Sequence, residues 1–318
     1  MMKRLTQGLV LLPVLIAGMA SAVEAESRLE VTDGSLVVVE VTVEGKRTAV
    51  PGLAARNFRV YEDGETREVV SAEPAGPASI VLLVENSLHS WRFLNDVRSA
   101  MRGFLKAATE EKGHSYALVT YERQAVVEQS LTREIGRIRA AFAGVEQSAW
   151  GKTDTYDSIF RVVDAMESLP GRRVLIFLGV GYDAFSQHTF GELANKVESE
   201  NVQVYGFATG SDLRQASEQQ AWAPDLPDLR QGEMLIRMLA ERSGGAWFCP
   251  SCEADYADSM RETMSTLDRQ YTVKYRRPGP LKPGFYKLRV EASDVVDDVR
   301  REYRVRAREG WRIEKAQP

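Results

Sequence analysis

Polar and apolar residues alternate near both ends of the chain. In LVVVEVTVE, residues 36–44, the four valines at odd positions fall on one face while Glu40, Thr42 and Glu44 fall on the other, which is the two-residue period of a half-buried strand. In FRVYEDGETREVV, residues 58–70, Asp63-Gly64 separates two strand-like runs and predicts a hairpin. The same alternation returns after residue 270 in YTVKY, GFYKLRVEA and YRVRA. Both ends are therefore predicted to form β strands.

Between residues 79 and 269 the pattern changes to apolar strands separated by amphipathic helices. SIVLLV, VLIFLGV and VQVYGFA are almost wholly apolar, and one predicted helix carries Leu94, Val97, Met101 and Phe104 on a single stripe. Such alternation is typical of a mainly parallel sheet that is covered by helices on both faces. We expect its ligand-binding residues at the carboxyl ends of the strands.

The predicted fold class combines these two patterns. It is α/β, with a doubly wound, mainly parallel, Rossmann-like sheet inserted in a small β-sandwich formed by the N- and C-terminal strands, because neither end has enough strands for a core of its own. The predicted boundaries are residues 26–76 and 270–318 for the strands and 77–269 for the α/β domain. Arg304, Arg306 and Arg308 share one face of the last strand and are interpreted as its exposed side, with a basic docking patch as the alternative.

Residues 1–25 have the layout of a secretory signal peptide. Lys3 and Arg4 precede an apolar stretch, which ends in the small residues Ala20-Ser21-Ala22. A membrane span would need about 18 apolar residues, and this stretch is shorter and contains Pro13. We predict an exported protein, periplasmic or secreted, with no membrane span in the mature chain. The net charge of −4 also gives no attraction to phosphate backbones, so nucleic acid is not an expected partner.

A cluster of polar residues follows the first apolar strand, in IVLLVENSLHS, residues 80–90. This stretch, with its surroundings, resembles the von Willebrand factor type A domain proteins, and more closely the bacterial exported "VWFA-related" subgroup. The resemblance is carried by NFRVYEDGE, IVLLVENS, GKTDTYDSI, GRRVLIFLGVG, NVQVYGFA, LAERSGGAWF and LDRQYTVKY, which together extend over most of the mature chain. It implies an α/β domain with a metal-ion-dependent adhesion site, in proteins that mostly bind or scaffold rather than catalyse.

The metal motif of the family is only partly present. The family pattern D-x-S-x-S appears here as Glu85-Asn86-Ser87-Leu88-His89, Thr153 matches the family's threonine, and the usual S-D-G appears as Gly179-Val180-Gly181. Magnesium requires near-octahedral oxygen ligands at about 2.0 to 2.1 Å, so a longer carboxylate and a valine both weaken the site. The resemblance leaves Glu85, Ser87 and Thr153 as candidate ligands, with Asp183 as a substitute carboxylate. We favour no cofactor, with Ser87 and Thr153 capping helices, over Mg²⁺ or another divalent cation at this weakened site.

Cys249 and Cys252 are the two cysteines of the chain and stand in a C-P-S-C motif. In an oxidising compartment two close thiols usually form a disulfide, which is our preferred interpretation. A redox-active pair and a metal-binding pair remain alternatives.

The functional hypothesis is an exported, non-enzymatic protein-interaction or adhesion module. Its protein partner is expected to bind at Glu85, Asn86, Ser87, His89, Thr153 and Asp183, which we call the strand-end rim. The alternatives are a thiol-disulfide oxidoreductase that uses Cys249 and Cys252, and a purely structural component of a cell-envelope assembly.

Overall fold

The computed structural model describes residues 36–45, 50–108, 112–146, 153–210, 226–249, 255–296 and 298–313. The predicted signal peptide and Cys252 lie outside these residues. The segment 210–231, which contains Pro224 and Pro227 and is predicted from the sequence to be an extended loop, also lies mostly outside them. The last six residues of that loop instead belong to a helix. Among the described residues, no helix is long and apolar enough to cross a membrane.

Strands from both ends of the chain form one antiparallel sheet. Its strands are β1 (Leu36–Glu44), β2 (Phe58–Glu62), β3 (Glu65–Pro74), β10 (Tyr271–Arg276), β11 (Gly284–Val296), β12 (Val299–Arg306) and β13 (Gly310–Ile313). The order is β12-β1-β10-β3-β2-β11-β13, and β12 also pairs with β11. The β2–β3 hairpin turns at Asp63 and Gly64, both with positive φ, as the sequence predicts. The alternating valines of β1 line the core of this sheet.

The predicted fold class is wrong, because these strands do not form a β-sandwich. Since β12 pairs with β1 on one side and β11 on the other, six strands close into a barrel. The long β11 makes closure possible, because its first four residues pair with β13 and its last five with β12. Closure removes the exposed sheet edges that a sandwich would leave. The second sheet is separate and mixed rather than purely parallel, and strands outnumber helices in the described part.

The second sheet has the order β6-β5-β4-β7-β8-β9. Its strands are β4 (Ala78–Glu85), β5 (Ser115–Tyr121), β6 (Ala125–Thr132), β7 (Arg172–Gly179), β8 (Val202–Ala208) and β9 (Ala246–Phe248). The edge strand β6 runs antiparallel to β5, whereas the other neighbours are parallel. β4 is buried along its whole length, which explains its continuous apolar sequence.

Helices pack on both faces of the second sheet. They are α1 (Leu88–Trp91), α2 (Leu94–Ala107), α3 (Ile135–Gly144), α4 (Thr155–Met166), α5 (Phe190–Ser199), α6 (Leu226–Ser243) and α7 (Tyr256–Leu267). Apolar residues of α2, α3 and α7 pack with one face, and those of α4, α5 and α6 with the other. The chain enters this sheet from β3 and leaves it for β10, both at the amino ends of the parallel strands.

Buried polar contacts join the barrel to the second sheet at that end. Arg308, after β12, donates to the carbonyl of Glu198 in α5 and to the side chain of Asn201. Arg308 is buried, so its interpretation as part of an exposed arginine face is wrong. Gln270 bonds to Thr42 in β1 and accepts from Arg172 of β7. The barrel therefore lies at the amino ends of the strands, and the strand-end rim lies at the opposite edge.

Candidate functional site

Glu85 is the centre of the strand-end rim. It is the last residue of β4 and its side chain is only 2% exposed. Its Oε2 accepts hydrogen bonds from the backbone N–H groups of Val180 at 2.7 Å and Gly181 at 3.1 Å, and its Oε1 accepts one from the Ser87 hydroxyl at 2.6 Å. The Tyr121 hydroxyl lies 3.4 Å from Oε2. One carboxylate thereby joins the loops that follow β4 and β7.

Two glycines allow this arrangement. A Cβ on Gly179 would lie 2.6 Å from both Cβ and Oε2 of Glu85, so any other residue there would displace the carboxylate. Gly181 has a φ of +78°, a left-handed conformation that favours glycine, and its N–H faces Glu85. The Gly-Val-Gly segment that replaces the family's S-D-G thus binds the carboxylate through backbone groups. Sequence reasoning missed this role because it considered only the side chain of Val180.

Ser87 caps helix α1, as predicted. Its Oγ accepts from the N–H of Ser90 at 3.1 Å, and the Ser90 Oγ accepts from the N–H of Ser87 at 2.9 Å. The Ser87 hydroxyl therefore donates a hydrogen bond to Glu85 and accepts one from the helix backbone. Asn86 donates from its backbone to the carbonyl of Tyr121 and from its side chain to that of Glu146. The His89 side chain lies outside the described part.

Thr153, just before α4, contacts the loop that holds Glu85 but does not cap a helix. Its hydroxyl donates to the carbonyl of Tyr182 at 2.6 Å, and the hydroxyl of Thr155 donates to the same oxygen at 2.5 Å. The N-cap of α4 is Asp154 instead. The capping prediction is thus wrong for Thr153, because its hydroxyl faces the loop after β7. That loop links Thr153 to Glu85, as both contact residues 180–182.

Asp183 caps the first turn of α4 from outside the helix. Its Oδ1 accepts from the N–H of Tyr156 at 3.0 Å and from the Ser186 hydroxyl at 2.5 Å. No hydrogen bond between Asp183 and Glu85, Ser87 or Thr153 is found within the described part of the chain. Asp183 therefore stabilises the start of α4, and its role as a substitute carboxylate for a metal stays a prediction.

Asp157 and His188 form a second polar pair that sequence reasoning missed. Asp157 Oδ1 accepts from the backbone N–H groups of Gln187 and His188 and lies 2.8 Å from the Nδ1 atom of His188. Burial raises the pKa of Asp157, but these hydrogen bonds outweigh burial and hold that pKa below its usual range. The imidazole stacks on Phe160 with the ring centroids 4.0 Å apart. The pair fixes the loop after β7 against α4.

The groups at Val180, Gly181, Ser87 and Tyr121 that contact Glu85 are neutral hydrogen-bond donors. Burial, followed by the charge of Glu85, raises the pKa of Tyr121 well above its usual range, so Tyr121 remains a neutral donor at physiological pH. Backbone N–H groups and hydroxyls that point at a carboxylate stabilise its charged form. The arrangement can hold a negative charge in place without proton transfer.

The three candidate metal ligands do not fit a divalent cation in this arrangement. The Glu85 oxygens accept from three close protein donors, the Ser87 hydroxyl donates to Glu85, and the Thr153 hydroxyl donates to a carbonyl. A cation would have to displace those bonds and also find several further oxygen ligands. Among the described residues, no group of three or more His, Cys, Asp or Glu side chains is placed to hold a metal ion.

Cys249 follows β9 at the same edge of the sheet. Because Cys252 lies outside the described residues, the disulfide between the two cysteines stays a prediction.

Comparisons with solved structures identify similar folds. An aerotolerance-related membrane protein from Bacteroides fragilis is 11% identical, with a TM-score of 0.45, over 61% of this chain and 99% of that one. Proximal thread matrix protein 1 from the mussel byssus, with a zinc-occupied MIDAS motif, is 15% identical, with a TM-score of 0.42, over 65% of this chain and 49% of that one. The VWA domain of SpRpn10 is 14% identical, with a TM-score of 0.37, over 54% of this chain and 85% of that one.

A VWA domain and a protein with a MIDAS motif are thus among the solved structures to which this chain is similar. This chain spans about half the length of the mussel protein. No family model matches it, and no curated protein does. The similarity concerns the fold alone.

Proposed function

We propose that this protein is an exported, non-enzymatic interaction module that binds a protein partner at the strand-end rim without a divalent cation. The observation that carries the proposal is the buried Glu85 carboxylate, whose donors are the backbone and hydroxyl groups of the rim itself. Hydrogen bonds between protein groups join the rim loops, and this supports binding without a metal ion. The charged and apolar pattern of residues 1–25 supports export.

Two exposed apolar side chains beside the rim supply a surface for a partner. Leu88 is 47% exposed at the start of α1, and Phe185 is 53% exposed in the loop after β7. Both project from backbone that hydrogen bonds hold in place, through the Ser87 cap in one case and through Asp183 and Ser186 in the other. A rigidly presented aromatic side chain loses little entropy on binding and is a common anchor in protein interfaces.

Site-specific photo-crosslinking tests this proposal. A photoreactive phenylalanine analogue replaces Phe185 in cells that make the protein, and the matched control places it at Phe285, which is 39% exposed on the barrel. We expect a discrete crosslinked protein from position 185, with no such product from position 285. The yield should be unchanged by EDTA and reduced by Leu88→Asp.

Two results would contradict the proposal. Equal crosslinking from positions 185 and 285 would place the interaction outside the rim. Loss of the product in EDTA, restored by magnesium, would show that binding depends on a cation.

A further inference from the structure

The hairpin of β11 and β12 extends beyond the barrel. Its strands pair with each other over residues 292–296 and 299–303. Within the described part of the chain, β2 pairs with β11 only as far as Ala292, and β1 pairs with β12 only at residues 304–306. Residues 293–296 and 299–303 are therefore a two-stranded projection, which we call the hairpin arm.

The two edges of the hairpin arm differ in how they are covered. On the β11 edge, the side chain of Asn57 donates to the carbonyl of Ser293 and to the carboxylate of Asp294, both at 3.0 Å. On the β12 edge, no backbone hydrogen bond from residues 299–303 to a third strand is found in the described ranges. Every second residue of an antiparallel strand directs its N–H and C=O groups away from its neighbour, so this edge presents backbone donors and acceptors.

Side chains on both faces of the β12 edge are open to solvent. Val299 is 60% exposed and, by the two-residue period of a strand, shares a face with Tyr303. Arg300 and Glu302 lie on the other face, and their side chains are 49% and 80% exposed. A two-stranded ribbon is only marginally stable in water by itself, so a third strand along β12 would stabilise the hairpin arm.

The exposed edge of β12 is complementary to itself. Its sequence, VRREY, can pair antiparallel with a second copy about a two-fold axis at Arg301. In that register Arg300 of each copy lies opposite Glu302 of the other, and Val299 of each copy lies opposite Tyr303 of the other. Opposite charges, and a β-branched residue facing an aromatic one, are favourable cross-strand pairs. Four favourable pairs thus outweigh the one unfavourable contact, which is between the two copies of Arg301.

We propose that two copies of this chain associate by pairing the β12 edges of their hairpin arms, antiparallel and in the register centred on Arg301. The sheets of the two barrels then continue into each other, which is strand addition at a sheet edge. The occupant is a second copy because the edge is complementary in charge to its own sequence. Five residues from each copy fall short of the roughly 20 residues a side of a standard interface, so we expect a dissociation constant of about 0.1 to 1 mM.

Analytical ultracentrifugation of the purified mature protein tests the proposal, at concentrations from about 10 µM to about 1 mM. We expect a reversible dimer that Arg300→Glu weakens about tenfold, because like charges then face each other twice. Exchanging the two charges, with Arg300→Glu and Glu302→Arg in one chain, should restore the affinity to within about threefold of the wild type. Arg276→Glu, the matched control, makes the same change at the exposed end of β10 and should alter the affinity by less than about twofold.

Cysteine crosslinking tests the register directly. Arg301 is the residue that faces its own copy, with the two Cβ atoms about 4.5 to 5.5 Å apart, which is close to the separation that a disulfide spans. Arg301→Cys should therefore give a covalent dimer on mild oxidation. Arg276→Cys and the wild-type protein, which contains Cys249 and Cys252, are the controls and should give no covalent dimer under the same conditions. Unfolding curves establish that each variant is folded.

Several results would overturn the proposal. They are sedimentation as a monomer at every concentration, a dimer that Arg300→Glu leaves unchanged, and a loss of affinity in Arg300→Glu that the exchanged pair does not restore. Equal yields of covalent dimer from Arg276→Cys and Arg301→Cys would place the contact elsewhere on the barrel and would also contradict it. Because none of these variants changes the strand-end rim, each of these outcomes leaves the proposed function intact.

Discussion

Two buried glutamates, Glu62 in the barrel sheet and Glu85 in the second sheet, have carboxylates that are stabilised in different ways. Glu62, in the barrel, is fully buried, lies 2.8 Å from the guanidinium of Arg277 and 3.5 Å from that of Arg67, and accepts from Tyr275 at 2.7 Å. Glu85, at the strand-end rim, accepts from two backbone N–H groups and a serine hydroxyl.

The two glutamates stabilise different things: Glu62 stabilises the packing of a core, whereas Glu85 holds loops in place at a surface. In the barrel, two guanidinium groups reach one carboxylate from neighbouring strands, so the charge is balanced inside the core and serves packing. At the rim, the donors belong to loops that would otherwise be independent, so the carboxylate orders a surface. Substitutions should therefore act on global stability in the barrel, and on both stability and loop order at the rim.

Removing the guanidinium group of Arg277 from its contact with Glu62 in the barrel should have the largest effect on the free energy of unfolding. Arg277→Met should lower the free energy of unfolding by about 3 kcal/mol, because it leaves Glu62 buried with a weaker set of partners. Urea unfolding monitored by circular dichroism measures the change. Arg289→Met is the matched control, since Arg289 pairs with Glu291 on the exposed surface and its removal should change stability by less than about 0.5 kcal/mol. Equal losses in both variants would contradict the role given to Glu62.

Neutralising the rim carboxylate should have a smaller effect. Glu85→Gln should lower the free energy of unfolding by about 2 kcal/mol, because hydrogen bonds to a charged acceptor are replaced by neutral ones and one side-chain oxygen becomes an NH₂ group. The same urea experiment measures it. Hydrogen exchange should also accelerate at residues 180–182, and not in β1. A loss of stability spread evenly over both sheets would contradict the claim that Glu85 acts locally, by joining the loops that follow β4 and β7.

Comparing two helix caps isolates the contribution of the Ser87–Glu85 bond. Ser87 and Thr189 both form capping boxes, but only the Ser87 hydroxyl also donates to a buried glutamate. Thr189→Ala should lower the free energy of unfolding by about 1 kcal/mol, and Ser87→Ala by about 1 kcal/mol more. In the Glu85→Gln background, the excess of the Ser87→Ala loss over the Thr189→Ala loss should shrink. An excess that persists there in full would mean that the Ser87 hydroxyl acts elsewhere.

The smallest expected effect is the pH dependence from Asp157. Because its pKa is lowered in the folded state, its stabilising contribution is present above its ordinary pKa of 3.8 and is lost as the pH falls through the folded value. The difference between the unfolding free energies at pH 5 and pH 3 should therefore be smaller in Asp157→Asn than in wild type, by less than about 1 kcal/mol. An unchanged pH dependence in the variant would show that the Asp157–His188 contact contributes nothing.

The local elements of the fold were predictable, whereas their assembly was not. The alternation of residues 36–44, the turn at Asp63-Gly64 and the stripe of α2 each follow from short-range periodicity, and the structure has all three. Barrel closure depends instead on β11 changing partners along its length, which no periodicity encodes. Arg308 was misassigned for a similar reason, since its burial comes from α5, more than 100 residues away in sequence.

The candidate site was predictable only as a location. The polar cluster after β4 and Thr153 do meet at one loop, as expected from their positions at the ends of parallel strands. The groups that hold Glu85, however, are mostly backbone N–H groups of Val180 and Gly181, and every non-proline residue carries such a group. The partners of Asp183 and Asp157 were missed because they depend on how the loop after β7 folds over α4.

The central claim is that Glu85, rather than a bound cation, orders the strand-end rim. Isothermal titration calorimetry of the purified mature protein with magnesium, manganese and calcium chloride tests it most directly, with Thr153→Ala measured in parallel. The account predicts no saturable heat for any of the three salts in either protein. Saturable binding by the wild-type protein that disappears in Thr153→Ala would contradict it.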